Sequence, residues 1–393
     1  MAESALAPAS GGTDRPVAAP NAVPWYVWCS VFAVTSTIIG GHWDIAWHRS
    51  IGRDNFWTPA HIAIYLGGVL SGLYCAWLIL STTFRSSQEA RDNSVTMWGF
   101  RGPLGAFIAA WGGLTMITSA PFDDWWHNAY GLDVKVLSPP HVVLIAGIVA
   151  MELGSLILIL GAMNRANGAL RRRLERLFLY VGAMIVTLLM ILVIEYILRT
   201  YMHSGLFYRV VCTAIPIVLA AVARATRHRW ASTIVISIYS LLLAGMVWIF
   251  PLFPAEPKLG PVYQNVRHFI PPEFPLLLIV PALLLDIVWA RLGHRGKWLQ
   301  AFVAGLVFLV SFIAVQWPFA DFLMSNSARN AFFGTTYFDY NLHPNSNYAR
   351  YRFAQLEKTT MEFWRQMGLA LVLAILTTRL GLGWGDWMRG IKR

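Results

Sequence analysis

Residues 25–81 read WYVWCSVFAVTSTIIGGHWDIAWHRSIGRDNFWTPAHIAIYLGGVLSGLYCAWLILS. Two apolar runs, 25–41 and 61–81, flank a polar, turn-rich segment, and each is long enough to cross a bilayer as a helix, which takes roughly 17 to 25 residues. The segment between them concentrates chemistry. Asp44 and His48 are four residues apart, so a helix places them one turn apart on one face. His61 follows His48 by thirteen residues, behind a Thr58-Pro59 breaker, and opens the second run. A helix end followed by an excursion that returns a third side chain is a way to build an Asp/His/His site.

The same grammar recurs at 122–141, FDDWWHNAYGLDVKVLSPPH. Asp123 and His127 are again four apart, Gly131 and Asp133 echo Gly52 and Asp54, and Ser138-Pro139 precedes His141 as Thr58-Pro59 precedes His61. Five of the ten histidines fall in these two stretches. Matching order in two copies points to paired metal sites, or to one duplicated unit.

Outward from these stretches the chain is 56% hydrophobic and 13% charged, outside the balance of a soluble domain. The fold class is therefore all-α: a polytopic helical membrane bundle. Apolar runs near 25–41, 61–81, 102–121, 139–162, 177–198, 207–223, 230–250, 272–290, 298–317 and 363–382 give about ten transmembrane helices. The net charge of +11 lies in every second connection, from Arg85, Arg91 and Arg101 through Arg165, Arg171 to Arg173 and Arg176 to Arg389, Lys392 and Arg393. Basic residues gather in cytoplasmic loops. That pattern argues for a bundle among membrane lipids rather than a nucleic-acid partner, with both termini cytoplasmic and both Asp/His/His stretches on the outer face of a bacterial or archaeal inner membrane. Residues 1–24 read as a flexible cytoplasmic tail, 25–176 as a four-helix metal-binding block, and 177–393 as a six-helix block. Cys29, Cys75 and Cys212 stand singly in different runs and carry neither a disulfide framework nor a thiolate site.

Each singled-out residue also has a plainer reading. Asp44, His48 and His61 could hydrogen-bond one another beside interfacial tryptophans. Ionisable groups at span ends are costly unless paired or ligated, and two copies favour ligation. His42 reads as an extra ligand or an outer-sphere group, or more plainly as a hydrogen-bonding neighbour. Asp54 reads as an ion pair with Arg53, and Asp124 as a competitor of Asp123 that lacks the four-residue spacing. Glu152, Glu195 and Asp286 lie inside predicted spans, with Arg199 one turn beyond Glu195 as its pairing partner. Two histidines and a carboxylate suit copper, iron or zinc alike.

The first stretch, DIAWHRSIGRDNFWTPAHI, resembles the metal-site segment of the C subunit of copper membrane monooxygenases, the particulate methane and ammonia monooxygenases. The family's aspartate, Trp-His pair, Arg-Asp pair and Thr-Pro-x-His fall on Asp44, Trp47-His48, Arg53-Asp54 and Thr58-Pro59-Ala60-His61. The second stretch is similar to that subunit's other metal segment, with His127 and His141 in place and Asp123 where the family has asparagine. His42 stands where the family has an acidic residue. The second half resembles the A subunit in the order of Glu195-x-x-x-Arg199, Asp286 and the tract 348–363 with Glu357-Lys358.

The resemblance implies a copper-dependent monooxygenase component that activates O2 to hydroxylate a small hydrophobic substrate or ammonia. Asp44, His48 and His61 would hold one copper; Asp123, His127 and His141 would hold another. It also implies a separate cupredoxin-like B-type subunit and an oligomer. A copper-binding or delivery protein without oxygen chemistry, and a non-haem iron site, are the alternatives.

Overall fold

The computed structural model describes residues 22–52, 54–131, 137–256, 266–337, 345–348 and 351–392. In chain order the elements are α1 Trp25–Ser50, α2 Pro59–Phe84, a short α3 Gln88–Asp92, strands β1 Val95–Met97 and β2 Phe100–Gly102, α4 Leu104–Tyr130 and α5 Pro139–Arg165. Then follow α6 Gly168–Leu192, α7 Gly205–Ala225, α8 Ala231–Ile249, α9 Ile279–Leu292, α10 Lys297–Leu323 and α11 Thr360–Gly390. Among the described residues the regular structure is helical, apart from an antiparallel hairpin that sets Thr96 opposite Arg101 and an isolated bridge between Pro254 and His268, features the apolar pattern does not announce.

Each of the ten predicted runs contains an α-helix. Eight of these, α2, α4 to α8, α10 and α11, are long and apolar enough to cross a membrane. α1 is long but carries His42, Asp44, His48 and Arg49 in its last third. α9 has only 14 residues, about 21 Å at 1.5 Å per residue. Its predicted run began at 272, but Pro271, Pro272 and Pro275 keep that stretch out of the helix, because proline lacks the amide proton a helix needs. The predicted tail 1–24 falls mostly outside the described residues.

Both connections that carry the Asp/His pairs are built alike. α1 runs through Asp44 and His48 to Ser50, and α4 runs through Asp123 and His127 to Tyr130, so both Asp-x-x-x-His pairs are helical. Each helix then breaks at a glycine with positive φ, Gly52 at 97° and Gly131 at 89°, a conformation other residues adopt at a cost. Pro59 and Pro139 each open the returning helix, where a missing amide proton costs nothing.

α4 and α5 are in backbone contact along two heptads. A Cβ on Gly112 would stand 2.4 Å from Met151 N, and one on Gly154 would stand 2.4 Å from Ala109 N. This fixes the helix that carries Asp123 and His127 against the one that carries His141. The end of α1 is fastened differently. Ile270 N donates to Ser50 Oγ at 2.8 Å, and Ala46, Ile51, Ala255 and Phe269 form a small buried cluster with Trp43 and Trp47 beside it. An extensive buried cluster nevertheless runs from Val27 to Ile391 and draws on both halves of the chain.

Asn164, near the end of α5, donates to the carbonyls of Met388 and Ile391, and Lys297, at the start of α10, pairs with Asp386 near the end of α11. The start of α1 and the finish of α11 therefore lie at one end of the bundle, and both Asp/His clusters lie at the other. The long connection after α10 docks on its own chain. His203 is stacked between Trp317 and Phe353, with ring centroids at 4.1 and 3.7 Å, and Glu357 Oε1 accepts Leu206 N at the head of α7.

Candidate metal centre

In the first cluster Asp44 projects from α1, Asp54 from the 51–58 turn and His61 from the first turn of α2, and one ligand atom from each lies within 4.8 Å of the others. His61 Nε2 is 2.7 Å from Asp54 Oδ2 and 3.1 Å from Asp44 Oδ1. His48 Nε2 is 3.4 Å from Asp54 Oδ2 and 3.8 Å from Asp44 Oδ2, with its side chain 36% exposed. The ring of His61 is oriented from behind, because its Nδ1 lies 2.9 Å from the Asn55 carbonyl and donates to it. Nε2 is thereby turned to the carboxylates, the arrangement by which a histidine ligand is usually held. Burial works against a charge on Asp54. The hydrogen bonds and charges of His48 and His61 overcome it and hold this carboxyl well below the usual carboxylate range.

The second cluster repeats the design. Asp123 and His127 come from α4 and His141 from α5, again with ligand atoms within 4.8 Å of one another. Asp123 lies 3.6 Å from His127 Nε2 and 3.5 Å from His141 Nε2. His127 Nδ1 is turned back 3.2 Å to the carbonyl of Gly131, the residue at the glycine break. In both clusters a helix aspartate oxygen is buried without a well-formed hydrogen bond: Asp44 Oδ1, approached only by His61 Nε2 at 3.1 Å, and Asp123 Oδ1, approached only by His141 Nε2 at 3.5 Å, among the described residues. Buried acceptors are rarely left so, and a cation between the carboxylate and the imidazoles would satisfy both. The donor sets thus fit a metal on grounds of orientation, spacing and unmet acceptors.

The two clusters open onto one cavity of about 230 Å³. Asp54, His61 and Tyr65 line it from one side, and Asp123, Asp124, His127 and Asn128 from the other, with Phe56 and Ala120 as apolar wall. The Tyr65 ring lies 5.9 Å from His61 and 5.2 Å from Phe56.

The sequence reading undervalued Asp54. Its carboxylate, 5% exposed, stands among the candidate ligands, at 2.7 Å from His61 and 3.4 Å from His48. Arg53, its expected partner, lies outside the described residues, as does Asp133, the echo of Asp54 in the second stretch. Tyr65 also went unnoticed, although its position four residues after His61 puts it on the same face of α2. His42 is not part of the cluster. It is buried, and its Nδ1 bonds the Ile38 carbonyl one turn back at 3.0 Å. Asp124 is exposed at the cavity rim and accepts from Asn128 at 3.3 Å.

The acids predicted inside spans have separate fates. Asp286 accepts from Ser232 N, Thr233 N and Thr233 Oγ1 and so caps the start of α8. Glu195 is exposed in a short 3-10 turn past the end of α6, and Arg199, its expected helical partner, is buried with its backbone amide donating to Glu273 at 3.1 Å. Glu152 is fully buried in α5, and among the described residues neither of its oxygens is hydrogen-bonded. Comparison of the chain with protein families, with curated proteins and with solved structures gave no match.

Proposed function

We propose that the chain is the membrane component of a copper-dependent monooxygenase that activates O2 to hydroxylate a small substrate. In this reading it has ten spans, cytoplasmic termini and both clusters at the outer face. The observation that carries it is the pairing: two clusters of like construction, each with an unmet carboxylate oxygen, open onto one cavity. Asp44, Asp54, His48 and His61 would hold one ion, and Asp123, His127 and His141 the other. Copper is the metal suggested by the sequence resemblance; iron and zinc are the alternatives the donors admit. A redox-active ion bound there supplies electron transfer to O2. The chain's own part is to fix the imidazoles through Asn55 and Gly131, to hold both ions at one cavity, and to line that cavity with Tyr65 and Phe56 for a small hydrophobic guest.

A delivery role without oxygen chemistry draws on the partial exposure of His48, which leaves the first cluster open to exchange. Metal content and oxygen uptake of the purified chain, with and without a cupredoxin-like partner, separate the two. Oxygen-dependent product formation supports the enzyme. Copper that exchanges without oxygen uptake in either condition sinks the monooxygenase reading, and a chain that retains no metal sinks both.

A further inference from the structure

At the end of the bundle opposite the clusters lies a second cavity, of about 510 Å³. It is lined by Asn164, Arg171, Ala225, Arg227, Arg389 and Lys392, which come from the end of α5, the first turn of α6, the chain after α7 and the end of α11. Four cations converge on it, and among the described residues no carboxylate lines it. The acids nearby are already engaged: Asp386 by Arg224 at 2.6 Å and by Lys297, and Glu175 Oε1 by the backbone amide of Arg227 at 2.8 Å. Among the described residues none of the four lining cations forms an ion pair.

A plainer account covers part of this. Cations favour the cytoplasmic side of membrane helices, and they suit the negative ends of helix dipoles. Arg171 Nη1 does donate to the Met163 carbonyl at 2.9 Å. That account places cations along a membrane face, but it does not explain why four from three separate parts of the chain surround one space. Like charges gathered there repel unless an anion lies among them. Guanidinium groups present paired N–H donors that match phosphate oxygens. Basic pockets between helices at this level of a bilayer take phosphate headgroups, and the volume is large beside the ~30 Å³ of one water molecule.

We propose that this cavity binds a phosphate ester, held by Arg171, Arg227, Arg389 and Lys392. An anionic lipid headgroup or a free phosphate would supply the same chemistry. Either would join the α5–α6 turn to the docked end of α11, so binding raises the stability of the whole chain.

The test uses the full chain in nanodiscs of phosphatidylcholine alone, of phosphatidylcholine with phosphatidylglycerol, and of phosphatidylcholine with added inorganic phosphate, each read by the thermal unfolding midpoint. The variant Arg171→Gln/Arg389→Gln is compared with Arg85→Gln/Arg101→Gln, which removes the same charge from the same end but outside the cavity. A rise with phosphatidylglycerol alone identifies a lipid headgroup, and a rise with inorganic phosphate identifies a soluble ligand. Either supports the site if the cavity variant needs at least about tenfold more ligand for half the rise, a loss of about 1.4 kcal/mol, while the control responds as the parent does. No rise with either probe, or an equal loss in both variants, overturns the proposal. Arg389→Gln alone, at an exposed position, serves if the double variant fails to fold.

Discussion

Asp54 faces two imidazoles from a turn, while the other candidate ligands sit on helices. Replacing it with asparagine keeps the shape and removes the charge, so Asp54→Asn should weaken metal retention at the first cluster by about tenfold, or roughly 1.4 kcal/mol, and leave the second unchanged. Elemental analysis after dialysis against a graded chelator measures this. His61→Ala should remove about one ion per chain, and an unaltered metal content would reduce its contacts to hydrogen bonding. Asp123 offers the opposite experiment, since Asp123→Asn takes a negative charge from a poorly screened site. If copper is bound there, its reduction potential should rise while the first site keeps its own, as a redox titration followed by EPR would report. The pairs Asp44/His48 and Asp123/His127 were legible in sequence because a helix turns four-residue spacing into proximity. Asp54 was not, because its approach depends on how the chain folds back after Gly52, and no local period encodes that.

The helices differ in how they are held. α1 carries its ligands at a free end, and Ser50 fastens that end by accepting the amide of Ile270, far along the chain. Ser50→Ala leaves a buried amide without its partner, which costs about 1–3 kcal/mol. It should lower the unfolding temperature and loosen metal at the first cluster but not at the second. On α4 the weak point is steric. Gly112→Ala drives a methyl into the backbone of α5 and should cost about 1–3 kcal/mol, with metal lost from the second cluster first. Unfolding curves and metal counts on the same preparations test both. Apolar runs gave away where most helices lie, since hydropathy reports burial in lipid whatever the packing. The run at 272–290 misled because its prolines left the first residues extended and α9 short. The role of Asp286 could not be read at all, because it caps a different helix.

Over the whole molecule, the helices alternate between an end with the Asp/His clusters and an end with the basic cavity. Tyr130 and Asn330 belong to the first end, Gly168 and Arg295 to the second. If basic loops mark the cytoplasm, Tyr130→Cys and Asn330→Cys should react with an impermeant thiol reagent on intact cells, and Gly168→Cys and Arg295→Cys should stay silent. The reverse pattern would turn the molecule over and remove both clusters from the outer face. The shared cavity has a further consequence that follows from counting charges. With neutral imidazoles, the first cluster sets two carboxylates against its ion and the second only one. A divalent ion is neutralised in the first and a monovalent ion in the second, so the two positions are unequal despite their like construction. Metal supplied as Cu(II) below one equivalent should therefore load in sequence, first cluster before second, and His61→Ala should erase the early phase of that titration while sparing the late one.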